Sequence, residues 1–502
     1  MLSLDSREAK KYFMEAANYF TVPLPPYFDF GAILKRTEDT LRGHALEEFY
    51  SEMRPESVRG VNYSISASKD GGYAWRTFQL IHPAVYVELT RLVTENWDFI
   101  QERFRLYQAQ SAVLCVSVGP GAESGRNTTA SSILKWWNGI EQGALKMSLY
   151  YNWMAETDIQ DCYDSIGVDL VEKALSGGGE ISVGRQIAKL LSCANCGRPV
   201  GVPQGSALVD YVVEVVMGYL DVVYYNAICN EVAKSKYTIF RFRDDYRIFA
   251  RDEETVKRLV RILSETLARF GLKLNARKTS FHSDIVNRAR KADKGFWEMR
   301  RAMVTLKNER WPQGVSVQKE LLAIYEMSLS YPNSGSVLRA LTELYEERII
   351  KIAHRPGDIY PLLGVVANIL VKNPRTAQIC TAIFSKLLSF NPGVSRNTLV
   401  DLVLEKARVV PNTEYMELCL QRLTVKNKPG KKFRSGLTRL VYDQSAKIWN
   451  SEWLAIRMRD SELVDHKIAK AMDFVVPVEE VKVFDDYLGK DEGMEEFLEF
   501  VV

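Results

Sequence analysis

Arg241-Phe242-Arg243-Asp244-Asp245-Tyr246-Arg247-Ile248-Phe249 is the stretch on which the fold of this 502-residue chain turns. An apolar lead-in, Tyr237-Thr238-Ile239-Phe240, and an apolar exit, Ile248-Phe249-Ala250, bracket two adjacent carboxylates. The pattern predicts two strands meeting at a tight turn, with Asp244 and Asp245 at its tip. Adjacent acids within a strand point to opposite faces, but at a turn both can converge on a cation. A solvated Asp-Asp hairpin is the plain alternative, and on turn chemistry alone it is the better one.

Upstream, Glu156-Thr157-Asp158-Ile159-Gln160-Asp161-Cys162-Tyr163-Asp164-Ser165-Ile166 follows an apolar, aromatic run over 148–154. That run predicts a buried strand leading into Asp158, and a carboxylate at such a strand end suits a metal ligand. The alternative is a polar strand end capping the next helix (168–175), with Asp164 or Ser165 as N-cap. A glycine-rich loop over 176–184 and an amphipathic helix over 185–194 come next. Gly201-Val202-Pro203-Gln204-Gly205-Ser206 then opens the apolar run 207–228. It reads either as a helix start capped by Ser206, or as a turn whose Gly205 backbone approaches a ligand while Gln204 donates to a base or sugar. Beyond the Asp-Asp turn, 253–270 is an amphipathic helix stopped at Gly271. Residues 271–281 give a short strand and a basic turn. The order is βαββαβ-like, an antiparallel sheet with helices on one face.

Nearer the N-terminus, helical spacing over 9–19 and 27–50 is broken at Pro23, Pro25 and Pro26. A second hairpin runs from Asn62 to Ile81 and turns at Lys69-Asp70-Gly71-Gly72. Lys69 and Arg76 flank that turn and could sit over a triphosphate, one as a point charge and one as a fork. Ordinary surface charges are the alternative. The Gly-rich stretch 119–125 lacks a following Lys-Ser/Thr, which argues against a Walker-type phosphate loop.

With 46% hydrophobic and 26% charged residues this is an ordinary chain of two to four domains. A net charge of +3 leaves nucleic-acid affinity to local basic patches. No run approaches eighteen apolar residues and the N-terminus has no signal-peptide pattern, so a cytoplasmic protein away from membranes is expected. Seven irregularly spaced cysteines suggest reduced thiols, and a lone Cys193-Ala194-Asn195-Cys196 does not make a zinc site. From 311 to 502 the chain reads as amphipathic helices over 318–330, 336–354, 358–372, 376–390, 397–409 and 413–423. They are punctuated by Pro332, Pro356, Pro374, Pro392 and Pro411, in the manner of stacked helical hairpins. A basic stretch, Lys426 to Arg434, is either a solvated loop or a nucleic-acid contact. A helix carrying Trp449 and Trp453 is expected next, and then a tail rich in acids from Glu479 onward.

Taken in order, Asp158-Ile159-Gln160-Asp161-Cys162-Tyr163, Val202-Pro203-Gln204-Gly205-Ser206, Phe242-Arg243-Asp244-Asp245 and Gly271-Leu272-Lys273-Leu274-Asn275 with Lys278-Thr279 resemble the palm motifs of reverse transcriptases. The resemblance spans about 220 residues, counting the hairpin that carries Lys69 and Arg76 in the fingers position. It implies fingers in 1–145, a palm in 146–310 and an α-helical, HEAT-like domain in 311–502. Phosphoryl transfer then needs two Mg²⁺ ions about 4 Å apart, with Mn²⁺ able to substitute. By resemblance Asp158 and Asp244 are the primary ligands, with Asp245 beside them and the Ile159 carbonyl in support. The Asp161 backbone faces the triphosphate and Tyr163 is an aromatic gate under the sugar C2′. Gln204 positions template or nucleotide, and Lys278 donates to the leaving pyrophosphate.

Three positions depart from the family pattern. Phe242 stands for the usual Tyr. Arg243 occupies a position normally small or apolar, where a guanidinium would bind phosphate or an acidic protein segment. Ala207-Leu208-Val209-Asp210 replaces the common Pro-Leu-Ser run. A palm fused to helical repeats without nuclease motifs is similar to the bacterial abortive-infection and defence-associated (AbiK-like) reverse transcriptases. That resemblance implies dNTP substrates, a non-coding RNA or single-stranded nucleic acid as partner, trimers or hexamers, and priming from a protein hydroxyl, here Tyr487, with Tyr12 and Tyr19 as competitors. A retroelement or intron-type enzyme and an inactive nucleic-acid-binding scaffold are the other readings. Missing maturase and endonuclease motifs oppose the first, and the retained acids and Tyr163 oppose the second.

Overall fold

The computed structural model describes residues 4–115, 139–176, 183–195, 197–305, 315–455 and 463–481. The Gly-rich stretch 119–125 and Tyr487 lie outside them. Strand β1 (Tyr63–Ser68) pairs antiparallel with β2 (Trp75–Leu80) in the expected fingers hairpin. The palm sheet holds β3 (Val113–Cys115), β4 (Trp153–Asp158), β5 (Tyr237–Phe242), β6 (Asp245–Ala250) and β7 (Ser280–His282), in the order β3-β5-β6-β4-β7. All neighbours are antiparallel except the edge pair β3 and β5. The all-antiparallel expectation is corrected there, because a three-residue edge strand carries too little pattern to read.

Register fixes what each face does. Asp158, Glu156 and Met154 of β4 stand directly opposite Asp245, Arg247 and Phe249 of β6. One face therefore runs from an apolar patch of Met154, Phe240 and Phe249, through the Glu156–Arg247 ion pair (3.4 Å), to two carboxylates at its edge. On the other face Ala155, Ile239 and Ile248 join the main core with the helices Ala207–Cys229 and Glu253–Ala268. Ala144, Met147, Ile285 and Ala289 cover the apolar end of the first face, and Asp245 at its carboxylate edge is exposed.

A second core is formed by the helices Val317–Ser330, Gly335–Leu344, Tyr360–Lys372, Ala377–Ser389, Gly393–Ala407 and Glu414–Gln421. Five match the expected helices closely; the second, expected over 336–354, is α-helical only to Leu344 and continues as a π-helix over Tyr345–Ile349. Two lysines of the basic stretch, Lys428 and Lys431, pair with Asp401 on the neighbouring helix. No helix among the described residues is long and apolar enough to cross a membrane.

The expected Trp449/Trp453 helix does not form. From Tyr442 to Ala455 the chain is a strap of turns laid across the N-terminal region. Beside two local turns (Ala446 N to Asp443 O, 3.1 Å, and Leu454 N to Ser451 O, 3.0 Å), its backbone bonds to distant chain: Asn450 N to Gly60 O (2.8 Å), Ser51 N to Trp453 O (2.9 Å) and Ala455 N to Phe49 O (2.9 Å). With those partners supplied, helix formation satisfies nothing further. Leu437, Trp449, Trp453, Leu463 and Val464 all enter the first core, so the 311–502 segment does not pack as one unit.

His82 marks the centre of this contact. Its ring lies 5.0 Å from Trp453 and 5.8 Å from Trp449. Nδ1 accepts the Ala84 N–H (3.1 Å), which leaves Nε2–H to donate to Ser451 Oγ (3.0 Å). Burial lowers its pKa from 6.5 to about 3. The unfolded chain therefore takes up a proton first, and stability is lost as pH falls from about 6.5 toward 3, by several kcal/mol at the acid end. Asparagine can keep the Ala84 cap without titrating. Urea midpoints at pH 7 and pH 4 should differ much less in His82→Asn than in wild type, and an equal difference would exclude His82 as the acid-labile group.

Candidate active site

The β5–β6 connection is a two-residue turn, and it is built rather than loose. Arg243 has φ 49°, a left-handed conformation uncommon outside glycine. Its carbonyl accepts from Arg241 Nη1 (3.0 Å), and the Asp244 carbonyl accepts the Ile159 N–H (3.1 Å). Asp244 is thereby held beside the end of β4, where Asp158 is 4% exposed. Like charges directly opposite on neighbouring strands are destabilising, so the Asp158–Asp245 pair asks for a cation. Burial, then Asp244 and Asp158, raises the Asp245 pKa to about 6, and burial also raises that of Asp244.

Asp158 divides its oxygens. Oδ2 accepts from the Lys278 ammonium, while Oδ1 is buried with no hydrogen-bond partner. An orphaned carboxylate oxygen beside two more carboxylates is a hard-oxygen donor set that fits Mg²⁺. As the side chains stand, no three acidic, histidine or cysteine groups among the described residues are close enough to cage an ion. Asp158, Asp244, Asp245 and Lys278 are thus brought together, with Ile159 tied in through its backbone.

The remaining predicted residues form two further groups. At the fingers, Lys69 Nζ lies 4.0 Å from Asp161, which has φ 43°. Arg76 lies exposed over the Phe78 ring (6.0 Å). The fingers turn docks on the helical domain. Asn333 Nδ2 donates to the Lys69 carbonyl, and Gly71 (φ 73°) comes so close to the Val371 carbonyl that a Cβ would collide with it. The Gln204 carbonyl accepts the Gln79 N–H (2.8 Å) and extends β2, while Thr21 N–H bonds to Gly205 O (2.8 Å). Ser206 does cap its helix, accepting from Val209 N. Neither Asp164 nor Ser165 caps helix Val168–Leu175, whose N-cap is Gly167.

In the second group Tyr163 Oη donates to Asp210 Oδ1 (2.7 Å), and Arg243 Nη2 donates to Asp210 Oδ2 (3.1 Å). The Arg243 guanidinium is thus engaged with a protein carboxylate, the second of the two partners its position allowed. Beneath it Arg241 is fully buried, with Nε on Asp221 and Nη2 on Glu214 (both 2.7 Å). Tyr246 also donates to Asp221 (3.1 Å) and Cys115 to Glu214 (3.0 Å). Glu214 and Asp221 were not among the residues expected from the sequence, and Asp210 and Arg241 stood there only as part of a departing run and of the opening stretch. The signal was present as three acids at helical spacing in an otherwise apolar run, facing an Arg-x-Arg strand end.

An open-faced sheet ending in cross-strand carboxylates, backed by helices and fronted by a basic hairpin, has the layout of a nucleotide-polymerising palm. Residues 105–300 match the family model "Reverse transcriptase (RNA-dependent DNA polymerase)". The chain carries a reverse transcriptase domain and is an RNA-directed DNA polymerase. Among solved structures, apo telomerase from Candida tropicalis is similar at 12% identity and a TM-score of 0.32, over 82% of this chain and 74% of that one. Telomerase from Candida albicans, in complex with a TWJ fragment of telomeric RNA, is similar at 12% identity and 0.31, over 74% and 69%. No curated protein matches the chain.

Proposed function

We propose that this protein is a DNA polymerase of antiviral defence that adds dNTPs by two-metal phosphoryl transfer. The observation that carries the reading is the cross-strand Asp158–Asp245 pair with its unsatisfied Asp158 oxygen, set inside a reverse transcriptase domain. Asp158, Asp244 and Asp245 would hold two Mg²⁺ ions, which activate the attacking hydroxyl and steady the triphosphate. Lys69 and Arg76 clamp the phosphates from the fingers turn, and Asp161 lies beside Lys69 at its edge. The Tyr163 ring sits under the sugar and excludes a 2′-hydroxyl. Lys278, paired with Asp158, would donate to the leaving pyrophosphate.

The defence assignment rests on the AbiK-like resemblance, a palm fused to a helical domain without nuclease motifs, and on the second helical core, which we read as a HEAT-like stack. In that setting the partner is a non-coding RNA or single-stranded nucleic acid, the assembly a trimer or hexamer, and the primer the Tyr487 hydroxyl. Incubation with labelled dNTPs and Mg²⁺, with and without ribonuclease pretreatment, tests polymerisation and its use of RNA. Absence of incorporation under either condition would overturn the polymerase reading. Peptide mass spectrometry should find DNA on Tyr487 and none in Tyr487→Phe, and DNA on no tyrosine would remove protein priming.

A further inference from the structure

We propose that Asp210 is a positioning residue for sugar selection, holding the Tyr163 ring through its hydroxyl and joining that ring to the metal-site hairpin through Arg243. The proposal rests on the reading of Tyr163 as the sugar gate. One carboxylate ties three elements together: the short helix Cys162–Ser165, the first turn of helix Ala207–Cys229 and the β5–β6 turn.

The two family departures become one feature. Arg243 reaches Asp210 from the hairpin (3.1 Å), and Asp210 also accepts from Tyr163 (2.7 Å). A tyrosine fixed only at Cα can swing about two side-chain torsions, and a ring that swings makes a poor steric gate. Pinned also at Oη by a carboxylate, it keeps one position, because hydrogen bonds to charged acceptors are short and strong. Burial and the Asp210 charge raise the Tyr163 pKa far above its usual value, so the hydroxyl stays protonated and remains the donor. The Arg243 guanidinium holds Asp210 in place through an ion pair (3.1 Å), and its own backbone carbonyl is fixed by buried Arg241. Gate and catalytic turn therefore move as one body.

The test compares kcat/KM for dNTP and for the matching rNTP in wild type, Asp210→Asn, Tyr163→Phe and the double variant, with thermal melting of each. Asp210→Asn should reduce the deoxy preference about tenfold, mainly by raising rNTP use, while Tm changes little. Tyr163→Phe keeps the ring and loses the tether, so it should reproduce that change, and the double variant should add nothing to it. Unchanged preference in either single variant, or multiplicative effects in the double, would overturn the proposal. Wild type that polymerises neither sugar would overturn the polymerase reading itself. Asp210→Asn that discriminates as wild type does would overturn the tether alone.

Discussion

Asp245→Asn should abolish nucleotide incorporation and at the same time stabilise the metal-free protein. Both effects come from one register. Asp245 faces Asp158 across the β4–β6 ladder, with Asp244 at the adjoining turn, and cross-strand like charges oppose pairing. The raised Asp245 pKa, about 6, has the same meaning. Its ionised form is disfavoured in the fold, so the metal-free protein loses stability as pH rises from about 4 through 6 and carries that loss at pH 7. The side chain reaches solvent, so the gain on neutralising it is about 1 kcal/mol after screening. Activity moves the other way, by about three orders of magnitude or more, the several kcal/mol that metal ions supply in such transfers. Asp244→Asn should behave alike. Incorporation assays beside melting curves in chelator read both arms, and a variant that incorporates as wild type does would refute the ligand assignment.

Arg241→Met should cost about 3–5 kcal/mol in urea unfolding, because it leaves Glu214 and Asp221 buried without their shared cation. Burial already raises the Asp221 pKa to about 6 against the pull of Arg241. Removing the guanidinium also frees the Arg243 carbonyl, so the β5–β6 turn should loosen along with the fold. Replacing all three charges together, as Arg241→Met, Glu214→Leu and Asp221→Leu, should recover most of the stability, since well-packed apolar groups often equal a buried ion network. A single variant as stable as wild type would show the network to be incidental.

What could be read from residues alone was local in origin. The Asp-Asp hairpin, the fingers hairpin and the six helices announced themselves by period and by glycine or proline punctuation, each set within a few neighbours. The site acids were legible for a related reason, since Asp158, Asp244 and Asp245 stand at strand ends. What escaped depends on partners far away in sequence. Trp449 and Trp453 were expected on a helix, yet the Trp453 carbonyl accepts from Ser51 N, the Asn450 N–H goes to Gly60 O and the Trp449 indole donates to Leu80 O. Asp210 was read only as the end of a run that departs from the family pattern, and its role depends on Tyr163 and Arg243, which both donate to it. Gln204 was read through its side chain, and its carbonyl turned out to extend β2.

The strap across the fingers also sets a timetable. Phe28 bridges to Val464 and Tyr50 to Leu454, so the first core is closed by chain made long after it was begun. At about 5–20 residues per second, the N-terminal helices emerge from the ribosome tens of seconds before their last partners. The palm acids, all upstream of residue 251, leave synthesis inside a half-finished module. The N-terminal region therefore gains its last backbone partners only at the end of synthesis.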